Sequence, residues 1–418
     1  MFLKNVSLVA AGTGVAQAIT IATTPIITRI YGPEAFGVVG LFTAILAITT
    51  PLSAFSYPIA IVLPKNDFEA IKIAKLSFYL ALLTSISTLL CLLVYSDWIV
   101  NVFDVAEIKD FLFLIPIAML FAAVYAILSQ WVVRNKLFNL KAKASIVHSI
   151  IFNLSKAGAG LISPIAAVLV TITSFSNMLH SVIIFRGLSD NKAVDINSES
   201  EYNYKDLFVK YKDFLVYRTP QVFLNALSQS IPVIMLTSFF GATAAGFYSL
   251  AKLALAAPSA LLGEAVSSVF YPKFNESFRD DKDALSLFLK ATFLLATIGL
   301  APFSLIVVFG SSFFAFIFGT EWGTSGEYAQ WMAVWLYFGF VNRPSVAAIP
   351  VLKMQGYFLV YEVFSVILRV VSIIIGFYVF NSGLVAIALF SLVGVILNIT
   401  LIVSVLLKIL KENKAQSI

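Results

Sequence analysis

Five basic residues lie inside long apolar segments of the sequence, where a charge is costly. They are Lys156, Arg218, Lys252, Arg343 and Arg369. A cation in hydrocarbon costs about 2.5–3.5 kcal/mol on insertion scales, so such residues usually face a water-filled cavity or a charged partner. The acidic partners within reach are Glu264, Glu362 and, at the end of a segment, Asp213. This excess of positive charge predicts a binding site for an anion.

Polar residues follow several of these segments at helical spacing, because side chains three, four and seven positions apart share one face of a helix. The polar stripes are Thr13, Gln17, Thr20, Thr24 and Thr28; Ser149, Asn153, Lys156 and Gly160; Arg218, Gln221, Asn225 and Gln229; Lys252, Ser259 and Gly263; and Glu362, Ser365, Arg369 and Ser372. Facing lipid, they would leave polar groups without hydrogen-bond partners. We therefore expect them to line one cationic, water-filled cavity.

Each stripe also fits a structural interpretation. Gly, Ser and Thr ease close packing between membrane helices, so any single stripe could be a helix–helix seam. Arg218 and Lys252 are close enough to segment ends for their side chains to extend to the membrane surface. Glu362 and Arg369, seven residues apart on one face, could form a structural pair. These alternatives stay open at the level of sequence.

Arg343 is the hardest of the cations to explain structurally, because it lies mid-segment in Asn342-Arg343-Pro344. Proline breaks the helix there, which a membrane tolerates where backbone lines a cavity. Trp335 lies nearby and would suit a sugar ring, although it also fits an interfacial aromatic belt. The isolated His148 and His180 are interpreted as packed polar residues rather than ligands or proton relays.

The composition identifies the solvent in which these segments fold. Apolar residues make up 60% of the 418 residues and charged residues 12%, against the usual ~45–50% and ~25% of soluble domains. Such a surface excludes a soluble enzyme, a fibrous protein and a disordered chain. The protein is therefore expected to be an all-α membrane protein.

Twelve apolar segments reach the length of about 20 residues that a bilayer-spanning helix needs. They cover residues 6–30, 36–63, 72–95, 111–133, 144–163, 165–185, 214–240, 243–270, 285–309, 328–352, 357–379 and 383–407. Most Lys and Arg residues fall on one side if both termini are cytoplasmic, as the positive-inside rule requires. The net charge of +6 then suits an anionic lipid surface and needs no nucleic-acid partner.

Motifs of other chemistry are missing from the sequence. It contains no phosphate-binding P-loop, no H-E-x-x-H zinc motif and no G-x-S-x-G nucleophile motif. Its single cysteine, Cys91, cannot support a disulfide framework or a cysteine-rich metal site. We expect neither enzymatic activity nor a cofactor, and transport would depend on an ion gradient, the membrane potential or the substrate's own concentration difference.

The sequence also repeats internally. Arg29-Ile-Tyr-Gly-Pro-Glu-Ala-Phe-Gly37, after the first segment, aligns with Ser238-Phe-Phe-Gly-Ala-Thr-Ala-Ala-Gly246, after the seventh. Leu63-Pro-Lys-Asn66 aligns in nearly the same register with Tyr271-Pro-Lys-Phe274. We expect two parallel six-helix repeats, residues 1–190 and 214–418, joined by a cytoplasmic linker over 191–213, with the cavity between them.

These motifs resemble a known family. They are residues 29–37 and, in the second half, Gly241-(x)4-Gly-Phe-Tyr-Ser-Leu-Ala-Lys252, Pro258 and Tyr271-Pro-Lys273. The sequence is similar at these positions to the polysaccharide transporters of the multidrug/oligosaccharidyl-lipid/polysaccharide (MOP) exporter superfamily, and most of all to O-antigen flippases of the Wzx type. The resemblance implies a V-shaped fold of two lobes that moves an undecaprenyl-diphosphate-linked oligosaccharide across the bacterial inner membrane. It also implies contact with membrane lipid, an O-antigen polymerase and a chain-length regulator.

The resemblance assigns roles to two cations. Lipid II flippases of the superfamily carry a cation four positions after the tyrosine of the eighth span, the place of Lys252 after Tyr248, and there it lines the cavity. Arg29 matches a common family position, where a structural role is equally open. Ser230-Ile231 stands where many relatives have an acid, which argues against ion coupling through the seventh span.

Three functions are compatible with the sequence. The first is a lipid-linked oligosaccharide flippase in which Lys252, Arg343, Arg369 and Lys156 bind diphosphate or acidic sugars, with Arg218, Arg29 and Trp335 as further contacts. The second is an ion-coupled small-molecule exporter, for which acidic cavity residues would be expected. The third is a non-transporting scaffold of a glycan assembly complex. Glu264 and Glu362 are the candidates for ion coupling.

Overall fold

The computed structural model describes residues 2–190, 203–279 and 284–416. For residues 2–10, 190, 256–269, 272, 279 and 413–416 within these ranges, only the backbone is described. The chain divides into two compact units, Met1–Gly246 and Phe247–Ile418. The predicted division into 1–190, 191–213 and 214–418 remains a prediction.

Helices account for nearly the whole fold. The α-helices are α1 (Phe2–Ile30), α2 (Pro33–Ser53), α3 (Asp67–Phe103), α4 (Leu114–Arg134), α5 (Phe138–Ile162), α6 (Ala166–Ser174), α7 (Ser176–Asp190), α8 (Tyr204–Lys210), α9 (Thr219–Arg279), α10 (Ala284–Phe318), α11 (Gly323–Val341), α12 (Arg343–Ala348), α13 (Gln355–Tyr378) and α14 (Gly383–Gln416). A π-helical turn, Phe214–Arg218, precedes α9. The predicted all-α membrane fold is confirmed.

The predicted number of spans is not confirmed in detail. Nine helical segments of the described residues are long and apolar enough to cross a membrane. The difference from twelve comes from α1, which is only partly described, from α11, which begins with polar residues, and from α9, which contains two predicted spans. At 1.5 Å per residue, the 61 residues of α9 would measure about 90 Å, three times the hydrocarbon thickness. Gly241 interrupts this length with φ 78° and ψ 173°.

A backbone contact between α2 and α9 joins the two repeated motifs. A methyl group added to Gly37 would collide with the carbonyl oxygen of Ala242, and one added to Gly246 would collide with that of Pro33 and lie 3.0 Å from the Gly37 nitrogen. The repeat aligns Gly37 with Gly246 and Pro33 with Ala242. The two halves of the contact are therefore equivalent positions of the repeat, as in an interface with two-fold symmetry.

Polar and aromatic contacts hold the helix α8 in place within the first unit. The Tyr57 hydroxyl donates to the Phe208 carbonyl at 2.9 Å, and the two rings stack with centroids 5.5 Å apart. Lys210 Nζ and the Tyr211 hydroxyl donate to Glu69 Oε1 at 2.6 and 2.9 Å, and the bond to Glu69 raises the pKa of Lys210. The last part of the predicted linker thus packs within the first unit.

Candidate functional site

Arg369 and Trp335, both predicted contacts, meet in the second unit. Arg369 Cζ lies 5.2 Å from the ring centroid of Trp335 and 5.7 Å from that of Phe390. The Trp335 and Phe390 rings pack edge to face with centroids 5.1 Å apart. The guanidinium of α13 is therefore held by aromatic side chains of α11 and α14, at distances typical of cation–π contacts.

The packing of α11 against α14 fixes Trp335. A methyl group at Gly394 of α14 would lie 2.6 Å from Trp335 Nε1 and 2.8 Å from its Cγ, so only glycine leaves room for the indole. One turn further, Asn342 Nδ2 donates to Asn398 Oδ1 at 2.9 Å, and Asn398 Nδ2 donates to the Gly394 carbonyl at 2.8 Å. Two adjacent turns of α14 thus set the register of α11.

The charge of Arg369 is not neutralised by the acid that shares its helix face. Among the residues that the structure describes, no ion pair joins Arg369 to Glu362, although the two interact electrostatically. Arg369 Nε is buried and has no hydrogen-bond partner in this described part of the chain. A buried donor without a partner is costly, so the site suits an incoming acceptor such as a phosphate or carboxylate oxygen.

Arg343 lies at the break between α11, which ends at Val341, and α12, which begins at Arg343. Its side chain is exposed, whereas Asn342 and Pro344 on either side are buried. The helix break expected from Pro344 is therefore present, and the buried Asn342 anchors it to α14 through Asn398.

Lys252 is half-buried in the second unit, four residues after the fully buried Tyr248. The rest of its predicted stripe, Ser259 and Gly263, lies outside the described side chains, as does the coupling candidate Glu264. The orientation of this stripe stays a prediction.

The stripes of α1 and α5 form a helix–helix seam in the first unit. Ser149 Oγ donates to the Ala16 carbonyl at 2.7 Å and lies 3.1 Å from Thr20 Oγ1, to which Asn153 Nδ2 donates at 3.2 Å. Gly160, at the end of the α5 stripe, leaves space for the Tyr31 ring. For Thr20, Ser149 and Asn153 the seam interpretation fits the structure, because their polar groups bond each other, whereas Gln17 of the α1 stripe is exposed.

The remaining predicted contacts belong to the first unit. Lys156 is half-buried, with Nζ 4.0 Å from the centroid of the Phe152 ring. Arg218 is exposed and donates to Gln221 Oε1 at 3.0 Å, on a face of α9 where Asn225 is exposed too. Arg29 is exposed near the end of α1. The structure thus groups Trp335 with Arg369.

The two histidines stack on each other in the first unit, with ring centroids 4.5 Å apart at an interplanar angle of 10°. His148 Nε2 lies 3.0 Å from Ser176 Oγ, and His180 also packs against the Tyr125 ring at 4.4 Å. Both are packed polar residues, as interpreted from the sequence, but the expectation that each is isolated is wrong, because they pack on each other.

Sequence reasoning missed Phe390 and Gly394. A usable signal was present, because Ser391, Gly394 and Asn398 place small and polar residues three and four apart on the otherwise apolar α14. Such spacing marks a contact face of a membrane helix.

Residues 26–327 match a family model described as polysaccharide biosynthesis protein. The chain belongs to this polysaccharide biosynthesis family. No curated protein matches it in sequence.

Solved structures show which fold this member of the family has. A multidrug resistance MATE family transporter of the MOP superfamily, in an inward-facing conformation, matches with a TM-score of 0.72 and 17% identity over 96% of both chains. Lipid II flippase MurJ, in an inward closed conformation, matches with a TM-score of 0.70 and 14% identity over 95% of this chain and 87% of that one. A MOP superfamily transporter from Pyrococcus furiosus matches with a TM-score of 0.62 and 15% identity over 96% and 94%.

These similarities establish the fold, and the family model establishes the link to polysaccharide biosynthesis. The predicted resemblance is confirmed for the polysaccharide biosynthesis family by the family model, and for the fold by the structures of MOP superfamily proteins. This member of the polysaccharide biosynthesis family is a multi-pass membrane protein with the fold of the MATE and MurJ structures.

Proposed function

We propose that this protein flips an undecaprenyl-diphosphate-linked oligosaccharide across the bacterial inner membrane by alternating access, with both termini in the cytoplasm. The observation that carries the proposal is the cluster of Arg369, Trp335 and Phe390 in a member of the polysaccharide biosynthesis family. A guanidinium held by aromatic rings, with a buried N–H that lacks a partner, suits a ligand that has both acidic oxygens and sugar rings.

The other cations extend this interpretation. We propose that Lys252, Arg343 and Lys156 contact diphosphate or acidic sugar groups, and that Arg218 and Arg29 attract the anionic headgroup. Repeats over 1–190 and 214–418 would be the parts that move during the cycle. An O-antigen polymerase and a chain-length regulator would receive the flipped glycan.

A deletion strain tests the function directly. We expect a defined lipid-linked glycan to accumulate on the cytoplasmic side of the membrane, and wild-type protein to restore its export. Arg369→Ala should restore it poorly, whereas Lys205→Ala, which removes an exposed cation of α8, should restore it fully.

Two outcomes would contradict the proposal. Normal glycan export with increased drug sensitivity in the deletion strain would indicate a small-molecule exporter. Full complementation by variants that neutralise Lys252, Arg343, Arg369 and Lys156 together would indicate a scaffold that does not transport.

A further inference from the structure

The aromatic contacts of Arg369 determine which of its atoms remain available to a ligand. Cation–π contacts use the faces of the rings and of the guanidinium, whereas hydrogen bonds to an anion use the N–H groups in the guanidinium plane. A carboxylate partner would occupy those N–H groups, but the described residues show no ion pair at Arg369 and leave its Nε without a partner. The rings therefore hold the guanidinium but do not use its N–H groups as hydrogen-bond donors.

Both rings depend on α14. Phe390 belongs to this helix and is 3% exposed. Gly394, four residues later and hence on the same helix face, forms a notch that receives the five-membered ring of Trp335. Asn398, another four residues along, bonds both the Gly394 carbonyl and Asn342 of α11, so the notch is held in register with Trp335.

We propose that Gly394 and Phe390 are positioning residues, which hold Arg369 as the receptor for an anionic oxygen of the substrate, from a phosphate or a sugar carboxylate. This inference rests on the proposed function and deepens it. A side chain at position 394 must displace Trp335, because the nearest atoms belong to the indole ring itself rather than to the end of a flexible side chain. Displacing Trp335 removes one of the two surfaces on which Arg369 lies.

The test is equilibrium binding to the purified full chain in lipid nanodiscs. Two probes distinguish the sources of the anion: undecaprenyl diphosphate, which has no sugar, and trigalacturonate, which has no phosphate. We expect Arg369→Ala to weaken binding of at least one probe by about 10- to 100-fold, as expected for hydrogen bonds to a charged group. The probe that responds identifies the group that Arg369 binds.

The positioning role has its own variants. Gly394→Ala should weaken the same probe by about tenfold or more, and Phe390→Leu by about 3- to 10-fold through the loss of one cation–π surface. Both variants keep the arginine, so the salt dependence of the remaining binding should stay steep, whereas it should flatten in Arg369→Ala. Gly356→Ala is the matched control, because a methyl group on Gly356 of α13 would meet no atom within 4 Å.

Three results would overturn the inference. If Arg369→Ala binds both probes like wild type, Arg369 is not the receptor, although flipping in the deletion strain could still stand. If Arg369→Ala loses binding while Gly394→Ala and Phe390→Leu keep it, the two residues do not position the arginine. If wild type binds neither probe, the receptor is refuted, and the complementation experiment decides separately whether flipping is refuted too. Because Phe390→Leu creates no clash, it tests the positioning role even if Gly394→Ala fails to fold.

Discussion

The contact between Gly37 and Gly246 allows a quantitative prediction about stability. In Gly37→Ala, the new methyl group overlaps a backbone oxygen, that of Ala242, which cannot move aside as a side chain could. Overpacking of this kind costs about 1–3 kcal/mol, and we take the upper end because the obstacle is backbone. Alanine regains about 1 kcal/mol of helix propensity. The expected net loss is about 2 kcal/mol in the free energy of unfolding.

Gly246→Ala should cost about the same, because its methyl group meets the equivalent oxygen of Pro33. The losses in free energy of unfolding that the two substitutions cause should not be additive. Once the first methyl group has separated α2 from α9, the second enters space already opened. We expect the double variant to lose little more than either single variant, which corresponds to a coupling of about 2 kcal/mol, within the range seen for residues in contact.

The measurement is a double-mutant cycle on the purified protein in nanodiscs, with thermal unfolding followed by intrinsic fluorescence. Each single variant should lower Tm by about 2 °C, because the unfolding entropy of 418 residues, at about 2.1 cal/mol/K per residue, gives about 1 °C per kcal/mol. Gly158→Ala in α5 is the control, since a methyl group there meets no atom within 4 Å, and it should leave Tm unchanged or slightly raised. Additive losses in the double variant, or no loss in either single variant, would refute the reciprocal contact.

Three further predictions concern transport. Arg343→Ala should lower glycan export by about tenfold or more at normal protein level, because the charge serves the substrate rather than the fold. Arg343→Lys should recover part of the export. Normal glycan display by the alanine variant would show that Arg343 does not belong to the site. Lys252→Glu should impair transport more than Lys252→Gln, because the reversal adds repulsion to a lost contact, and equal activity of both variants and wild type would favour a surface-directed lysine. In proteoliposomes, Glu264→Gln should make flipping insensitive to an imposed pH or Na⁺ gradient while passive exchange persists; a wild-type protein that ignores both gradients would exclude coupling through this carboxylate.

The sequence was sufficient for the fold class and for the break in α9, because hydropathy and glycine placement are local signals. The predicted gap between spans 214–240 and 243–270 falls at Gly241, whose φ of 78° is a conformation that favours glycine. Helix ends were less predictable. The predicted span 72–95 lies within α3, which covers Asp67–Phe103, because hydropathy marks the part in hydrocarbon and not the polar turns beyond it.

The site was predictable only in its residue types. Arg369 and Trp335 were identified one at a time, from the cost of a buried charge and the chemistry of an aromatic ring. Their contact could not be derived, since it depends on how three helices pack. The stripes of α1 and α5 show the same limit: spacing identified their polar faces, but only the hydrogen bonds between Ser149, Asn153 and Thr20 show that these faces meet each other.

The reciprocal glycine contact also bears on how the protein is made. Residues 33–37 emerge from the ribosome about 200 residues before residues 242–246, which at about 5–20 residues per second is a delay of about 10–40 seconds. Throughout that interval the face of α2 that carries Gly37 lacks its contact with residues 242–246 of α9. The first unit reaches its final packing only when the start of the second repeat arrives. Biogenesis factors that shield Gly37 during this interval would therefore matter more for the first repeat than for the second, whose Gly246 finds its partner already in the membrane.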